Sequence, residues 1–206
     1  MLTRLLDLPT RRLDLVADGD GPAVYYLHDR EIGGVLINTP PFDPIVADTL
    51  NDAGGVAYVF FPSRLGARDV DRWREALGAE TLAHTQEAPA IDGTLDIVLD
   101  NRQKLTRTID FLLLPGRTRG TCALRLKNKP AVLFVGPALE PDAEGWPTLV
   151  QHADDYSFED KLFAAVTVQG MRYEYLFTDT FQPGRTRFGP AADAAVARRL
   201  DAYLAD

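Results

Sequence analysis

The side chains best placed to do chemistry sit on loops that follow apolar runs. Asn38-Thr39-Pro40 follows Val35-Leu36-Ile37, and Pro62-Ser63-Arg64-Leu65-Gly66-Ala67-Arg68-Asp69 follows Tyr58-Val59-Phe60-Phe61. Leu114-Pro115-Gly116-Arg117-Thr118-Arg119-Gly120 closes a third run, and Gly136-Pro137 closes Leu133-Phe134-Val135. Arginine dominates the polar side chains of these loops. Its planar guanidinium offers a fork of donors to carboxylate or phosphate and stays charged at any physiological pH. Ser63 follows a strand as a hydrolase nucleophile would. It lacks the small flanking residues of a nucleophile elbow and has no histidine near it in sequence, so it reads as a helix cap or loop residue.

Metal chemistry has weaker support. His28, His84 and His152 are far apart in the chain and show no ligand spacing, so they read as surface or satisfied histidines. Asp154, Asp155 and Glu159 could gather around Ca²⁺ or Mg²⁺, but such a run more commonly begins a helix, where the dipole favours carboxylates. Gly33-Gly34 and Gly54-Gly55 stand outside any dinucleotide-binding or Walker pattern and punctuate turns.

The elements that must position these loops alternate along the chain. Strand-like runs cover 23–27, 34–37, 56–61, 95–99, 109–114, 122–126, 131–135 and 173–177. Several are apolar throughout, which predicts burial on both faces in a layered α/β architecture. Asp43-Pro44 supplies an N-cap and a proline for a first helix that Gly54-Gly55 ends. Val70, Trp73 and Leu77 form the stripe of a second helix stopped by Gly78. A third helix is expected over 157–168. A fourth begins at Gly189-Pro190 and runs to the C-terminus, burying Val196, Leu200 and Leu204 and leaving Arg198, Arg199 and Asp201 wet. The Pro-, Gly- and acid-rich stretch 137–155 reads as an exposed insertion.

A chain of 206 residues can bury roughly two-thirds to three-quarters of its unfolded surface without a staple. The expectation is therefore one domain over residues 1–206. A net charge of −8 and a pI near 4.9 exclude a sequence-independent nucleic-acid binder, which needs a contiguous basic face. Cys122 is the only cysteine, cannot form an internal disulfide and reads as a small buried hydrophobe. No run approaches the ~20 apolar residues of a membrane span. A soluble cytoplasmic protein without membrane attachment is expected.

In order and spacing, the four loops resemble the L-I-D-T, T-H-x-H-x-D-H, P-G-H-T-x-G and F-x-G-D motifs of the metallo-β-lactamase superfamily. The resemblance spans about residues 22 to 204. It implies a four-layer αββα sandwich whose site lies at one edge, where loops from both sheets meet. Zinc hydrolysis in that family requires imidazoles and carboxylates that converge on the metal and activate a bound water. Here Asn38 replaces the structural Asp, Ser63 and Leu65 replace the first two His, Ala67 the Asp, Arg68 the next His, Arg117 the His of the third motif and Pro137 the bridging Asp. The fifth position falls near Thr178-Asp179-Thr180 and offers at most Asp179.

The resemblance therefore implies a catalytically inactive, metal-free and cofactor-free member of the fold that acts as a binding or interaction protein. Ser63, Arg64, Arg68, Asp69, Arg117, Arg119 and Asp179 would gather at the former metal site, where guanidinium charge could take a small anionic ligand, with Arg185 and Arg187 adding to it. The competing local reading is that these arginines pair with Asp69, Asp110 or Asp179 and plug the cavity, because a desolvated charge without a partner costs several kcal/mol. Two other functions compete. One is a hydrolase with an atypical site built from Asp69, Asp179, His84 or the arginines. The other is a homo-oligomeric structural subunit whose edge is covered by a second copy.

Overall fold

β-branched, aromatic and leucine-rich runs form the strands, and proline, glycine and capping residues end them. The computed structural model describes residues 2–17, 21–101 and 103–205. It divides into two compact units, Met1–Val98 and Leu99–Asp206.

The first unit is built on a seven-stranded sheet of order β1-β2-β3-β4-β5-β6-β7. Its strands are β1 (Thr3–Leu8), β2 (Arg11–Ala17), β3 (Val24–Asp29), β4 (Gly33–Ile37), β5 (Tyr58–Phe61), β6 (Glu80–His84) and β7 (Ile97–Leu99). The pairs β1-β2, β2-β3 and β3-β4 are antiparallel, whereas β4-β5 and β5-β6 are parallel. Parallel neighbours need crossovers, supplied by α1 (Pro44–Asp52) and α2 (Val70–Leu77). Asp43 caps α1 by accepting from the Ile45 N–H, and Gly78 ends α2 in the left-handed conformation. The helices bury Ala47, Leu50, Val70 and Trp73 together with Leu36, Val59 and Phe61 of the sheet. The Trp73 indole N–H donates to the Pro40 carbonyl at 2.9 Å, which ties α2 to the segment after β4.

The second unit carries a four-stranded sheet of order β13-β10-β9-β8, made of β8 (Ile109–Leu113), β9 (Cys122–Leu126), β10 (Val132–Gly136) and β13 (Tyr175–Thr178). β10 is antiparallel to β9 and parallel to β13. α3 (Phe158–Gln169) and α4 (Ala192–Ala205) bury Ala164, Val168, Val196 and Leu200 with Leu133 and Leu176 of that sheet. Ser157 caps α3 by accepting from the Asp160 N–H. Cys122 is buried, as expected.

Several expectations are corrected. β1 and β2 were not anticipated. Their charged residues are absorbed by ion pairs: Arg11 with Asp29 at 3.2 Å, and Arg4 with Asp14 at 2.6 Å. The stretch 137–155 is packed and not an exposed insertion: Leu139 and Leu149 join the core, and β11 (Glu140–Pro141) pairs with β12 (Pro147–Thr148). Leu204 is 47% exposed, so α4 buries one residue fewer than its periodicity suggests. Arg199 is not wet, because it pairs with Asp142 and Glu144, both at 2.5 Å. Asp206, the expected end of α4, lies outside the described residues. Among the described residues, no helix is long and apolar enough to cross a membrane.

Candidate functional site

In the first unit the loop after β5 is held by the turn after β4. Asn38 adopts a positive φ of 62°, a conformation Asn tolerates better than most residues. Its side-chain amide donates to the Ala23 carbonyl at 2.9 Å. The Thr39 hydroxyl accepts from the Arg68 N–H at 2.9 Å and donates to the Arg68 carbonyl at 2.7 Å, while the Thr39 N–H donates to the Gly66 carbonyl at 2.9 Å. The turn thus holds the loop's backbone.

Ser63 is fully buried and caps the short 3-10 turn Arg64–Gly66, its Oγ accepting from the Leu65 N–H at 3.3 Å. A hydroxyl in that position is a cap and not an exposed nucleophile. The Arg64 N–H donates to Glu87 Oε2 at 2.7 Å, and the Arg64 guanidinium, 41% exposed, lies 3.7 Å from the same buried carboxylate. A buried carboxylate needs such partners, since its ionised form is otherwise costly to desolvate. Asp69 sits at φ 48° before α2 without capping it; its Oδ2 accepts from the Phe42 N–H at 2.8 Å. Leu65 is exposed. The loop therefore brings Ser63, Arg64, Arg68 and Asp69 into one stretch, with Glu87 as a buried counter-charge that the sequence did not single out.

In the second unit the loop after β8 is locked to the start of α3. An added Cβ on Gly116 would lie 2.4 Å from Lys161 Cβ and 2.5 Å from its Cα, so only glycine permits this contact. The Gly116 carbonyl accepts from the Ser157 N–H at 3.1 Å. Arg117 Nη2 donates to Asp154 Oδ2 at 3.0 Å, Nη1 donates to the Asp154 carbonyl at 3.2 Å, and Nη1 stands 3.7 Å from Asp155. The Arg117 hydrogen bond holds the Asp154 carboxyl below its ordinary pKa. Behind it, fully buried Lys161 donates to the Val150 carbonyl at 2.7 Å and to Asp155 at 3.1 Å. Asp155 is thus enclosed between two cations.

Arg117 meets neither Asp110 nor Asp179, two of the acids that the competing reading offered the arginines as partners, but pairs with Asp154 and Asp155. Asp110 is taken instead by Arg125 and Lys127, each at 2.8 Å. Arg119 is exposed. Pro137 is buried beyond Gly136, whose carbonyl accepts from the Asp179 N–H at 3.0 Å, so the fourth and fifth motif positions are neighbours. Asp154 and Asp155, considered above for a divalent cation, are committed to Arg117 and Lys161.

The histidines are also committed. His84 is buried and its Nδ1 accepts from the Gln86 N–H at 3.2 Å. His152 Nε2 contacts the Glu140 carboxylate, and His28 stacks edge-on against Tyr26. Among the described residues, no three or more His, Cys, Asp or Glu side chains are grouped to hold a metal ion.

No sequence-family model matches the chain, and no curated protein matches it by sequence. Solved structures do. A metallo-β-lactamase of Cronobacter sakazakii with a HARLDQ motif superposes with TM-score 0.69 at 13% identity, covering 98% of this chain and 96% of that one. The fold is that of the metallo-β-lactamases. The DIM-1 metallo-β-lactamase gives TM-score 0.69 at 14% identity, with 98% of each chain covered. BJP-1, a subclass B3 metallo-β-lactamase of Bradyrhizobium japonicum, gives 0.64 at 15% identity over 94% of this chain and 89% of that one. At this level of identity the likeness establishes the mixed α/β metallo-β-lactamase-type fold alone.

Proposed function

We propose that this chain is a metal-free, catalytically inactive protein of the metallo-β-lactamase fold that works by binding. The observation that carries the reading is the chemistry at the family-like ligand positions. Ser63, Leu65, Ala67, Arg68, Arg117 and Pro137 offer no imidazole and no carboxylate, and Arg117 is committed to Asp154 and Asp155. Zn²⁺ needs deprotonated N, S or O donors in tetrahedral array. A guanidinium repels the ion, so these residues do not fit it and no hydrolytic step passes through them.

The loop that replaced the metal-binding segment still carries cationic side chains on a rigid backbone. Arg64 and Arg68 of the first unit, whose backbone is fixed through Glu87 and Thr39, suit a small anionic ligand, since a guanidinium offers a planar fork of donors to carboxylate or phosphate. Ser63 and Asp69 shape that loop. In the second unit Arg119 is the exposed cation of its loop, and Asp179 is buried beside Gly136.

Metal analysis of protein purified without chelator tests the reading, together with turnover of a chromogenic β-lactam and a p-nitrophenyl ester before and after incubation with Zn²⁺. The expected result is substoichiometric zinc and iron and no turnover in either condition. Stoichiometric zinc or iron with hydrolysis would overturn it.

A further inference from the structure

The second unit contains a cleft of about 770 Å³ that, of the motif segments, only Thr180 lines. One wall is the turn 141–145 between β11 and β12; the other is the loop 180–187 after β13. We propose that this cleft binds a small polyanion, an oxyanion-bearing metabolite of the phosphate or polycarboxylate class, through Arg185 and Arg187.

The charges on the two walls differ in kind. Asp142 and Glu144 face the cleft, but both are held by Arg199 at 2.5 Å, and this guanidinium, against the opposing push of burial, keeps Asp142 below the ordinary carboxylate range. One guanidinium thus offsets one of their two negative charges, and with Arg185 and Arg187 the charged groups of the cleft and Arg199 sum to a net positive charge. Arg185 and Arg187 are exposed, and among the described residues no carboxylate lies within ion-pair distance of either. The Arg187 guanidinium instead lies 5.9 Å from the Trp146 ring centre, where an aromatic face steadies a cation without neutralising it. In a chain of net charge −8, two uncompensated arginines on one short loop form a local positive site. Thr180, Gln182 and Thr186 line the same loop and supply neutral donors.

Both walls are preformed. The Asp142 carboxylate accepts from the Glu144 N–H at 2.8 Å and the Trp146 N–H at 3.0 Å. In the facing loop, the Gln182 carbonyl accepts from the Arg185 N–H at 3.0 Å and the Thr186 N–H at 2.9 Å, and the Thr186 hydroxyl accepts from the Gln182 N–H at 2.8 Å. The walls are joined where the Arg187 N–H donates to the Gly145 carbonyl at 2.8 Å. An added Cβ on Gly145 would fall 2.0 Å from the Arg185 carbonyl oxygen, so this join requires glycine. A preformed cleft within the size range of small-molecule sites, with two arginines on one of its walls, binds an anion without first ordering a loop.

Titration calorimetry on the full chain tests this, with inorganic pyrophosphate and citrate as separate probes to distinguish a phosphate from a carboxylate preference. The expected result is saturable one-site binding of at least one probe that weakens as salt rises. R185Q/R187Q should raise the dissociation constant at least tenfold with an unchanged circular dichroism spectrum and melting temperature, because both side chains are exposed. R107Q, at an exposed arginine outside both loops, should leave this binding unchanged. Absence of saturable binding by either probe, or wild-type affinity in R185Q/R187Q, would overturn the inference. Binding lost in R64Q/R68Q, on the loop invoked under the proposed function, but retained in R185Q/R187Q would place the anion on that loop, sinking this proposal and sparing that one.

Discussion

Thr39 grips the backbone of Arg68 on both sides, its hydroxyl accepting from the N–H at 2.9 Å and donating to the carbonyl at 2.7 Å. A threonine two residues beyond β4 thus orders this loop. Thr39→Val keeps the shape but removes the hydroxyl from both Arg68 groups in a partly buried setting, where losing a hydrogen-bond partner costs about 1–3 kcal/mol. Urea unfolding should show a loss of about 2 kcal/mol, and the Arg68 amide should exchange faster. Thr39→Ser should recover most of the loss, and equal loss in both variants would mean that the hydroxyl does not carry the contact.

Asp154 and Asp155 both meet Arg117, but in different solvent. The Asp154 side chain is 73% exposed, whereas that of Asp155 is 3% exposed and also meets fully buried Lys161. Exposed pairs contribute about 0–1 kcal/mol, while removing one partner of a buried pair costs about 3–5 kcal/mol. Asp154→Ala should therefore be nearly silent in thermal melts, and Asp155→Ala severely destabilising. Lys161→Met should resemble Asp155→Ala, since it leaves the same carboxylate enclosed with one cation fewer.

These contrasts mark how far sequence alone reaches. Strand runs such as Cys122–Leu126 and the cap at Asp43 were legible because apolar β-formers and Asp-Pro act locally. β1 and β2 were not. Arg11 and Asp14 occupy buried positions in β2, and the cross-strand charges that satisfy them are invisible to a hydrophobicity pattern. The loop positions of the candidate site could be read from motif order, but the partners of its arginines could not. Glu87 and Asp155 lie 23 and 38 residues from the arginines they meet, and only the folded chain brings them together. The acid- and proline-rich composition of 137–155 suggested exposure, yet Leu139 and Leu149 anchor it in the core.

Arg117 stands where the family-like motif has histidine, so Arg117→His is the most direct attempt to restore a metal ligand. The substitution removes a guanidinium that satisfies Asp154 and half-encloses Asp155, and it adds one imidazole to motif positions that otherwise offer at most the Asp179 carboxylate. It should lower stability by about 1–2 kcal/mol, the range for losing charge-assisted hydrogen bonds at a partly exposed site. Adding Zn²⁺ should not raise its melting temperature, because a bound ion would stabilise only in proportion to its affinity for the folded state. A zinc-dependent rise of several degrees would show that enough ligands remain nearby to hold the ion.

Asp110 gives the fold a measurable acid response. Burial alone would push its carboxyl pKa up, but hydrogen bonds and charge from Arg125 and Lys127 outweigh that and hold it below the ordinary value. In the unfolded chain the group titrates near pH 3.9, so its contribution is complete above that value and is lost as pH falls through the lower folded pKa. Asp110→Asn removes the charge at every pH. At neutral pH it should cost about 1–3 kcal/mol, towards the lower end because Arg125 and Lys127 are partly exposed and can turn to water. The stability difference between wild type and variant, measured by urea unfolding from pH 7 down to 2.5, should stay constant to about pH 4 and then shrink. A difference that widens below pH 4 would contradict the direction of the shift and the role of the two cations in setting it.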